Sequence, residues 1–341
     1  MILDTEFNSA AQIPSEICLP AAVEAERRGF GCIWKGESNS RDPMVLLSAM
    51  AAQTSTVELG TAIYHLFGRS PVTLAVQAAT FNEMSGGRLI VGLGVGNPII
   101  AGWHGQQFSR PLARMREYLE VVRAVYSGER VPDIEGDFFS VSKGFKLAFT
   151  PPEGRLRLYV AGLGPQMVGL AGRLGDGIVI NMADGEMIKE VVSGFREAAV
   201  KAGRDPNELE VVSKIRVCLH EDPAQARWAL KKVLTFYSLQ QGYSDLLRKM
   251  GWPQVVDRVQ ELHRTEGFAA ARKSIPDEMV DAVPMYAGSD LSGLAAKLAV
   301  HEAAGVDRCD VAYVPADDTR QWEEIQSFLA QAEPLARKGG R

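Results

Sequence analysis

At 341 residues, 46% hydrophobic and 23% charged, with a formal charge of −5, the chain has the make-up of a globular protein that can bury a large core. Its 37 Lys and Arg residues are scattered among 42 acidic ones, which excludes the basic surface that nucleic acid or anionic lipid would need. No apolar run approaches the roughly 20 residues of a membrane span, and MILDTEF carries no basic region ahead of an apolar stretch, so neither a membrane anchor nor a secretory signal is expected.

Short apolar runs alternate with amphipathic stretches along the chain. ILDTEF reads as a strand, followed by a helix over residues 15–28 whose small and apolar positions 17, 21, 22 and 25 face one way. Gly29 ends that helix as a residue free to turn left-handed. CIWK is the second strand, and Asp42-Pro43 opens a helix as an N-cap with proline in the first turn. VELGTAI with a helix over 71–84, then RLIVGL with a helix over 113–127, repeat the cycle. Residues 129–157, rich in Gly, Pro and aromatics, interrupt it as an inserted loop or hairpin. The rhythm resumes with RLYVAG and a helix from Pro165, GIVIN and a helix over 185–202, and ELEVVSKIRVCL with a helix from about Ala224. Residues 241–285 read as inserted helical pieces and loops, before RCDVAYVP and a last helix from Thr319.

Eight strand–helix units with strands rich in Val, Ile and Leu imply a parallel sheet covered by helices. In one chain of this length they favour a single (β/α)8 TIM barrel over residues 1–341, with insertions near 129–157 and 241–285, rather than an open doubly wound sheet. Functional residues are then expected just after each strand.

The four cysteines, Cys18, Cys32, Cys218 and Cys309, are widely spaced, and the five histidines include no metal-binding spacing. No metal is expected, and the cytoplasm is the expected compartment.

VGLGVGNP, residues 91–98, sets glycines at alternate positions after an apolar run. A dinucleotide fingerprint needs G-x-G-x-x-G, but Asn97 stands where the third glycine belongs in one frame and Ile99 in the other. VAGLGPQM fails the same test at Met167, so a Rossmann site is rejected. Gly164-Pro165 lies where a strand yields to a helix. It serves equally as a phosphate site at the helix N-terminus or as a tight turn.

AERRGFGCIW, RDP, LGTAI, RSPVTLAVQAATFNEMSGGRLIVGLGVG and YVAGLGPQMVGLAGRLGDG together resemble the bacterial-luciferase-like superfamily of flavin- and deazaflavin-dependent barrels. The likeness is dense over residues 1–220 and loose beyond. It is strongest to the coenzyme F420-dependent branch, and within it to the methylene-tetrahydromethanopterin reductases, through TEF near the start and GPQMVGLAG with DGIVIN.

The resemblance implies a luciferase-like barrel that transfers hydride between coenzyme F420 and a small organic substrate, a methylene-pterin first among them. It implies a cofactor phosphate near Leu163, Gly164, Gln166 and Met167. Val95, Gly96 and Asn97 would flank the ring on one side. A bulge at Ala62-Ile63, carrying a non-proline cis peptide, would back its other face. Glu37 and Ser38 would face the ring after the second strand, with His65 beside the bulge. Glu6, at the end of the first strand, matches the glutamate that pterin-reducing members use as proton donor, and a carboxyl in an apolar barrel mouth would carry a raised pKa. As a bare residue it could equally be a structural acid.

Two departures narrow the reading. Glu37-Ser38 replaces the Asp-His of several dehydrogenase members, and Asn97 replaces the glutamate of the sugar-phosphate branch, so those oxidations are not expected. The alternatives on the same scaffold are an FMN-dependent monooxygenase and a flavin-free reductase using NADPH or NADH. A homodimer or higher homo-oligomer is expected from the likeness alone. His104 with Trp103 is a further pocket candidate, His220, His263 and His301 read as structural, and Phe236, Tyr237 and Tyr243 suit either a barrel-mouth cap or helix core.

Overall fold

The computed structural model describes residues 1–7, 13–142 and 144–339. Its elements run β1 (Ile2–Phe7), α1 (Ser15–Arg27), β2 (Cys32–Lys35), α2 (Pro43–Ala51), β3 (Glu58–His65), α3 (Pro71–Ser85), β4 (Leu89–Gly94), α4 (Pro98–Trp103) and α5 (Pro111–Tyr126). There follow β5 (Ile134–Glu135), β6 (Ser140–Val141), β7 (Arg157–Ala161), α6 (Pro165–Leu174), β8 (Gly177–Ile180), α7 (Gly185–Lys201) and β9 (Glu210–Leu219). The chain closes with α8 (Pro223–Ser238), α9 (Gln241–Lys249), α10 (Pro253–Glu266), α11 (Phe268–Lys273), α12 (Asp277–Ala282), β10 (Met285–Gly288), α13 (Leu294–Ala303), β11 (Arg308–Tyr313) and α14 (Gln321–Gly339). Eight parallel strands, β1–β4, β7–β9 and β11, alternate with helices as a (β/α)8 barrel, the fold class expected.

The local signals act as their chemistry requires. Asp42 caps α2, its side chain accepting from Val45 N–H at 3.0 Å, and Gly29 takes φ +88° just beyond α1. Residues 129–157 contain the antiparallel β5–β6 hairpin. Residues 241–285 contain α9 to α12. Asn97 and Pro98 start α4, and Trp103 at its end is 57% exposed.

Contacts group the chain into two compact units. The first comprises Met1–Phe30, Ile180–Glu190 and Ser213–Arg341. In it β1 lies parallel to β11, with Asp4 opposite Asp310 and Glu6 opposite Ala312, and β10 lies parallel to the end of β9. Side chains alternate across a strand, so Asp4 and Glu6 share a face with Arg308 and Asp310. Its apolar core joins α8, α9, α10 and α12 around Leu230, Leu234, Leu247 and Val256.

The second unit comprises Gly31–Val179 and Val191–Val212. Within it β2, β3, β4, β7 and β8 pair in parallel in that order, and Trp34, Ile90 and Tyr159 pack beneath Ala62 and Ile63. The β3–β4 register slips between Thr61 and Tyr64, which is the bulge expected at that place.

Candidate active site

In the second unit the site is built on that bulge. The Ala62-Ile63 peptide is cis, as the resemblance implied. The glycines of VGLGVGNP serve it one by one. A Cβ at Gly92 would stand 2.2 Å from the Thr61 carbonyl oxygen, and one at Gly94 would stand 2.5 Å from Ile63 Cδ1. Position 92 must be bare for β4 to pass the rigid backbone of the bulge, and at 94 a methyl would have to push the end of the Ile63 side chain aside. Gly96 takes φ +62°, and a Cβ there would lie 3.2 Å from His65 Nδ1. The loop is therefore a shelf fitted to β3, and the structure brings His65 and Gly96 together on it.

Glu37 fastens this shelf. Its backbone N–H donates to Ile63 O at 3.0 Å, while its carboxylate accepts the His65 backbone N–H at 2.7 Å and Arg69 Nη2 at 2.9 Å. Arg69 reaches Asp42 as well, at 3.1 Å, and its guanidinium lies 3.6 Å from the Tyr64 ring centroid. Burial holds the His65 imidazole below its usual range, against the opposing pull of the Glu37 carboxylate, and its buried Nδ1 has no hydrogen-bond partner among the described residues. Ser38 is exposed, and Val95 is half-buried. Asn97 caps α4, accepting from Ile100 N–H at 3.0 Å.

At the start of α6, Gly164 is exposed, offers no side-chain cap, and leaves open space where a Cβ would be. The first-turn N–H groups of Gln166 and Met167 are presented there beside the half-buried Leu163. Met167 packs so closely on Gly162 that a Cβ at 162 would fall 2.6 Å from Met167 Cγ.

In the first unit Glu6 is buried, 3% exposed, and its surroundings are ionic rather than apolar. The Lys214 ammonium bonds the Glu6 carboxylate and stands 3.0 Å from Asp310 Oδ2. Burial opposes the Lys214 charge, yet Asp310 and then Glu6 hold its pKa above the usual lysine range. Burial pushes Asp310 up to about 7 against the pull of Lys214. A little further along β1 and β11, Arg308 grips Asp4 through two bonds of 2.9 and 3.1 Å.

Two residues beyond Lys214, Arg216 donates to Asn181 Oδ1 at 3.0 Å and to the Tyr237 hydroxyl, and Asn181 Nδ2 donates to Tyr237 at 3.1 Å and Tyr243 at 2.7 Å. Tyr237 thus belongs both to the helix core and to a polar cluster, whereas Phe236 is 55% exposed. Sequence reasoning missed Lys214, Arg216, Asp310, Asn181 and Arg69. For Lys214, Arg216 and Asp310 the available signal was charge at alternate positions of otherwise apolar strands, as in SKIRV and RCDV. His301 is buried against Ser213 Oγ at 2.7 Å, while His104 is exposed at the end of α4. Among the described residues no group of three or more His, Cys, Asp or Glu is placed to hold a metal ion.

The luciferase-like monooxygenase family matches residues 10–308. The chain belongs to that family. A luciferase-like relative from Mycobacterium tuberculosis, named as a coenzyme F420-dependent oxidoreductase, is 32% identical over 87% of this chain and 90% of its own. The 5,10-methylenetetrahydromethanopterin reductase of Archaeoglobus fulgidus is 32% identical over 75% of this chain and 78% of its own. In three dimensions, the coenzyme F420-dependent tetrahydromethanopterin reductase from Methanopyrus kandleri superposes with a TM-score of 0.80 at 22% identity, covering 96% of this chain and 97% of that one. That likeness shows the luciferase-like barrel. No helix is long and apolar enough to cross a membrane among the described residues.

Proposed function

We propose that this luciferase-like barrel is a coenzyme F420-dependent oxidoreductase that transfers hydride between the deazaflavin and a small organic substrate, a methylene-pterin being the substrate class named for two of its relatives. The observation that carries the reading is the pair of buried acids, Glu6 and Asp310, held on one ammonium, Lys214. Adding hydride to a C=N or C=C bond leaves an electron pair on the neighbouring atom, which must take a proton. A reductase therefore needs a protein proton source.

The residues of the bulge fit a flat ring. Gly96 leaves a side-chain-free surface beside His65, and the open, uncapped start of α6 at Gly164 suits a phosphate. Ala62, Ile63, His65, Val95, Gly96 and Asn97 would hold the ring, and Leu163, Gly164, Gln166 and Met167 the phosphate, with Glu37 and Ser38 after β2. Bound there, F420 supplies the hydride. Within the first unit the Lys214 ammonium can pass a proton to the Glu6 carboxylate, which makes Glu6 the proton donor of this reading. Asp310, whose carboxyl burial pushes up to about 7, is the group placed to return a proton to Lys214. The four buried cysteines, none in a disulfide, suit a reducing cytoplasm, and a homodimer or higher homo-oligomer is part of the reading.

The test is equilibrium binding of the purified protein to F420, FMN and NADPH side by side. Micromolar or tighter binding of F420 alone supports the proposal. Tight FMN binding without F420 binding would replace it with a monooxygenase, and binding of the nicotinamide alone with a flavin-free reductase.

A further inference from the structure

Arg216 is a buried cation without an anion. It is 5% exposed, and among the described residues no carboxylate pairs with it. Lys214 and Arg308, the neighbouring buried cations, each hold carboxylates. A buried guanidinium without a counter-charge is unfavourable, and an anionic ligand would complete it.

The hydrogen count around it has one sign. Arg216 Nη1 is spent on Asn181 Oδ1 and Nη2 on the Tyr237 hydroxyl, but Nε is buried with no acceptor. Because Asn181 turns its carbonyl to Arg216, its amide nitrogen donates to both tyrosines. Tyr237 Oη accepts from Asn181 and Arg216, and Tyr243 Oη accepts from Asn181, so each tyrosine retains its own O–H proton to give. Three donors, Arg216 Nε–H and the two hydroxyls, gather around one amide and face no acceptor. The two rings, with centroids 4.3 Å apart, add an apolar wall, and Arg216 lies 4.9 Å from the Tyr237 centroid. Lys214 is neutralised by its own acids, which leaves the cluster net positive.

We propose that Arg216, Tyr237 and Tyr243 form a carboxylate-binding subsite, so that the substrate of this enzyme is an organic acid seated by its carboxylate. A carboxylate accepts from Arg216 Nε–H with one oxygen and from the tyrosine hydroxyls with the other, restoring the missing acceptors and the missing charge together. This names the substrate class for the F420-dependent reading above and rests on it, while the binding itself needs no cofactor.

The experiment is calorimetric titration of the full chain with acetate and benzoate as probes and benzamide as the uncharged control. Wild-type protein should bind benzoate saturably and benzamide not measurably. Arg216→Lys, which keeps charge but loses the fork, should weaken benzoate by about tenfold or more, and Arg216→Gln should abolish binding. Tyr243→Phe, a milder change at the same subsite, should weaken it by about threefold to tenfold and guards against a misfolded Arg216→Gln protein, which circular dichroism would reveal. Equal binding of benzoate and benzamide, no saturable carboxylate binding, or benzoate affinity unchanged in both Arg216→Lys and Tyr243→Phe would each overturn the subsite. F420 affinity is measured on the same wild-type sample. Its absence would sink the oxidoreductase reading while leaving the carboxylate result to be judged by itself.

Discussion

The carboxylate of Glu37 accepts the backbone N–H of His65 at 2.7 Å, tying the segment after the second strand to the end of the bulged third. The same carboxylate holds Arg69, and a Cβ at Gly68 would stand 3.0 Å from its Oε1. Glu37 therefore shapes the shelf beside which the deazaflavin ring is proposed to lie. Glu37→Ala leaves a largely buried N–H and a guanidinium short of a partner and should cost on the order of 2 kcal/mol. Glu37→Gln keeps an acceptor for the N–H and should cost roughly half as much. Urea midpoints of the two variants check the order. Equal losses would mean that the charge on Arg69, not the backbone bond, carries the contribution.

The glycines make a second, sharper contrast. A methyl at position 92 meets the rigid Thr61 carbonyl at 2.2 Å, so the bulge itself must shift. Gly92→Ala should lose about 3 kcal/mol or fail to fold. Position 164 has ordinary backbone angles, φ −75° and ψ 144°, and open space beyond. Gly164→Ala should change stability by no more than about 0.5 kcal/mol. Thermal unfolding of both variants checks this. A Gly92→Ala protein as stable as Gly164→Ala would refute the shelf.

These contrasts mark what the sequence could and could not show. Alternation of apolar runs with amphipathic stretches was enough for eight strand–helix units, and Asp42-Pro43 and Gly29 marked helix ends, because those signals are local. VGLGVGNP could be cleared of a dinucleotide role by spacing alone. The partners of its glycines could not be read, because Thr61 and Ile63 approach them across a strand pair and a slipped register. The ionic cluster was still less accessible. Glu6 and Lys214 are 208 residues apart, and nothing in SKIRV says which face of the strand is buried or what meets it. The expectation of an apolar surrounding for Glu6 followed from placing it at an apolar barrel mouth, whereas its polar partners come from β9 and β11.

Asp310 gives that cluster a pH signature. Burial raises its carboxyl to about 7, so its proton is present below that pH and lost above it. In the direction of substrate reduction, which consumes a proton, kcat should fall as pH rises through about 7. Asp310→Asn cannot titrate and should flatten this limb at a lower plateau. Glu6→Gln should lose about 100-fold or more in turnover at every pH while F420 affinity stays within about twofold. Stopped-flow oxidation of reduced cofactor across pH 5.5–9 would separate the two. A Glu6→Gln enzyme with unchanged turnover would remove that residue from proton transfer.

His301 is expected to make stability fall with acid. Its imidazole is buried, 4% exposed, and bonds Ser213 Oγ through Nδ1; burial first, and the nearby Lys297 charge second, lower its pKa from 6.5 to about 4. With the folded value below the unfolded one, the unfolded chain takes up the proton first as pH falls. The contribution is whole above about 6.5 and is lost progressively between 6.5 and 4, the loss reaching roughly 3 kcal/mol at the lower end. His301→Gln keeps a hydrogen-bonding side chain without a titrating proton. It should cost some stability at pH 7.5, where the native pair is intact, and lose less than wild type on acidification to pH 4.5. The check is the difference in urea midpoint between those two pH values for each protein. Carboxylates titrating in both proteins cancel in that comparison, so an equal acid loss in wild type and variant would show that His301 does not cause the fall.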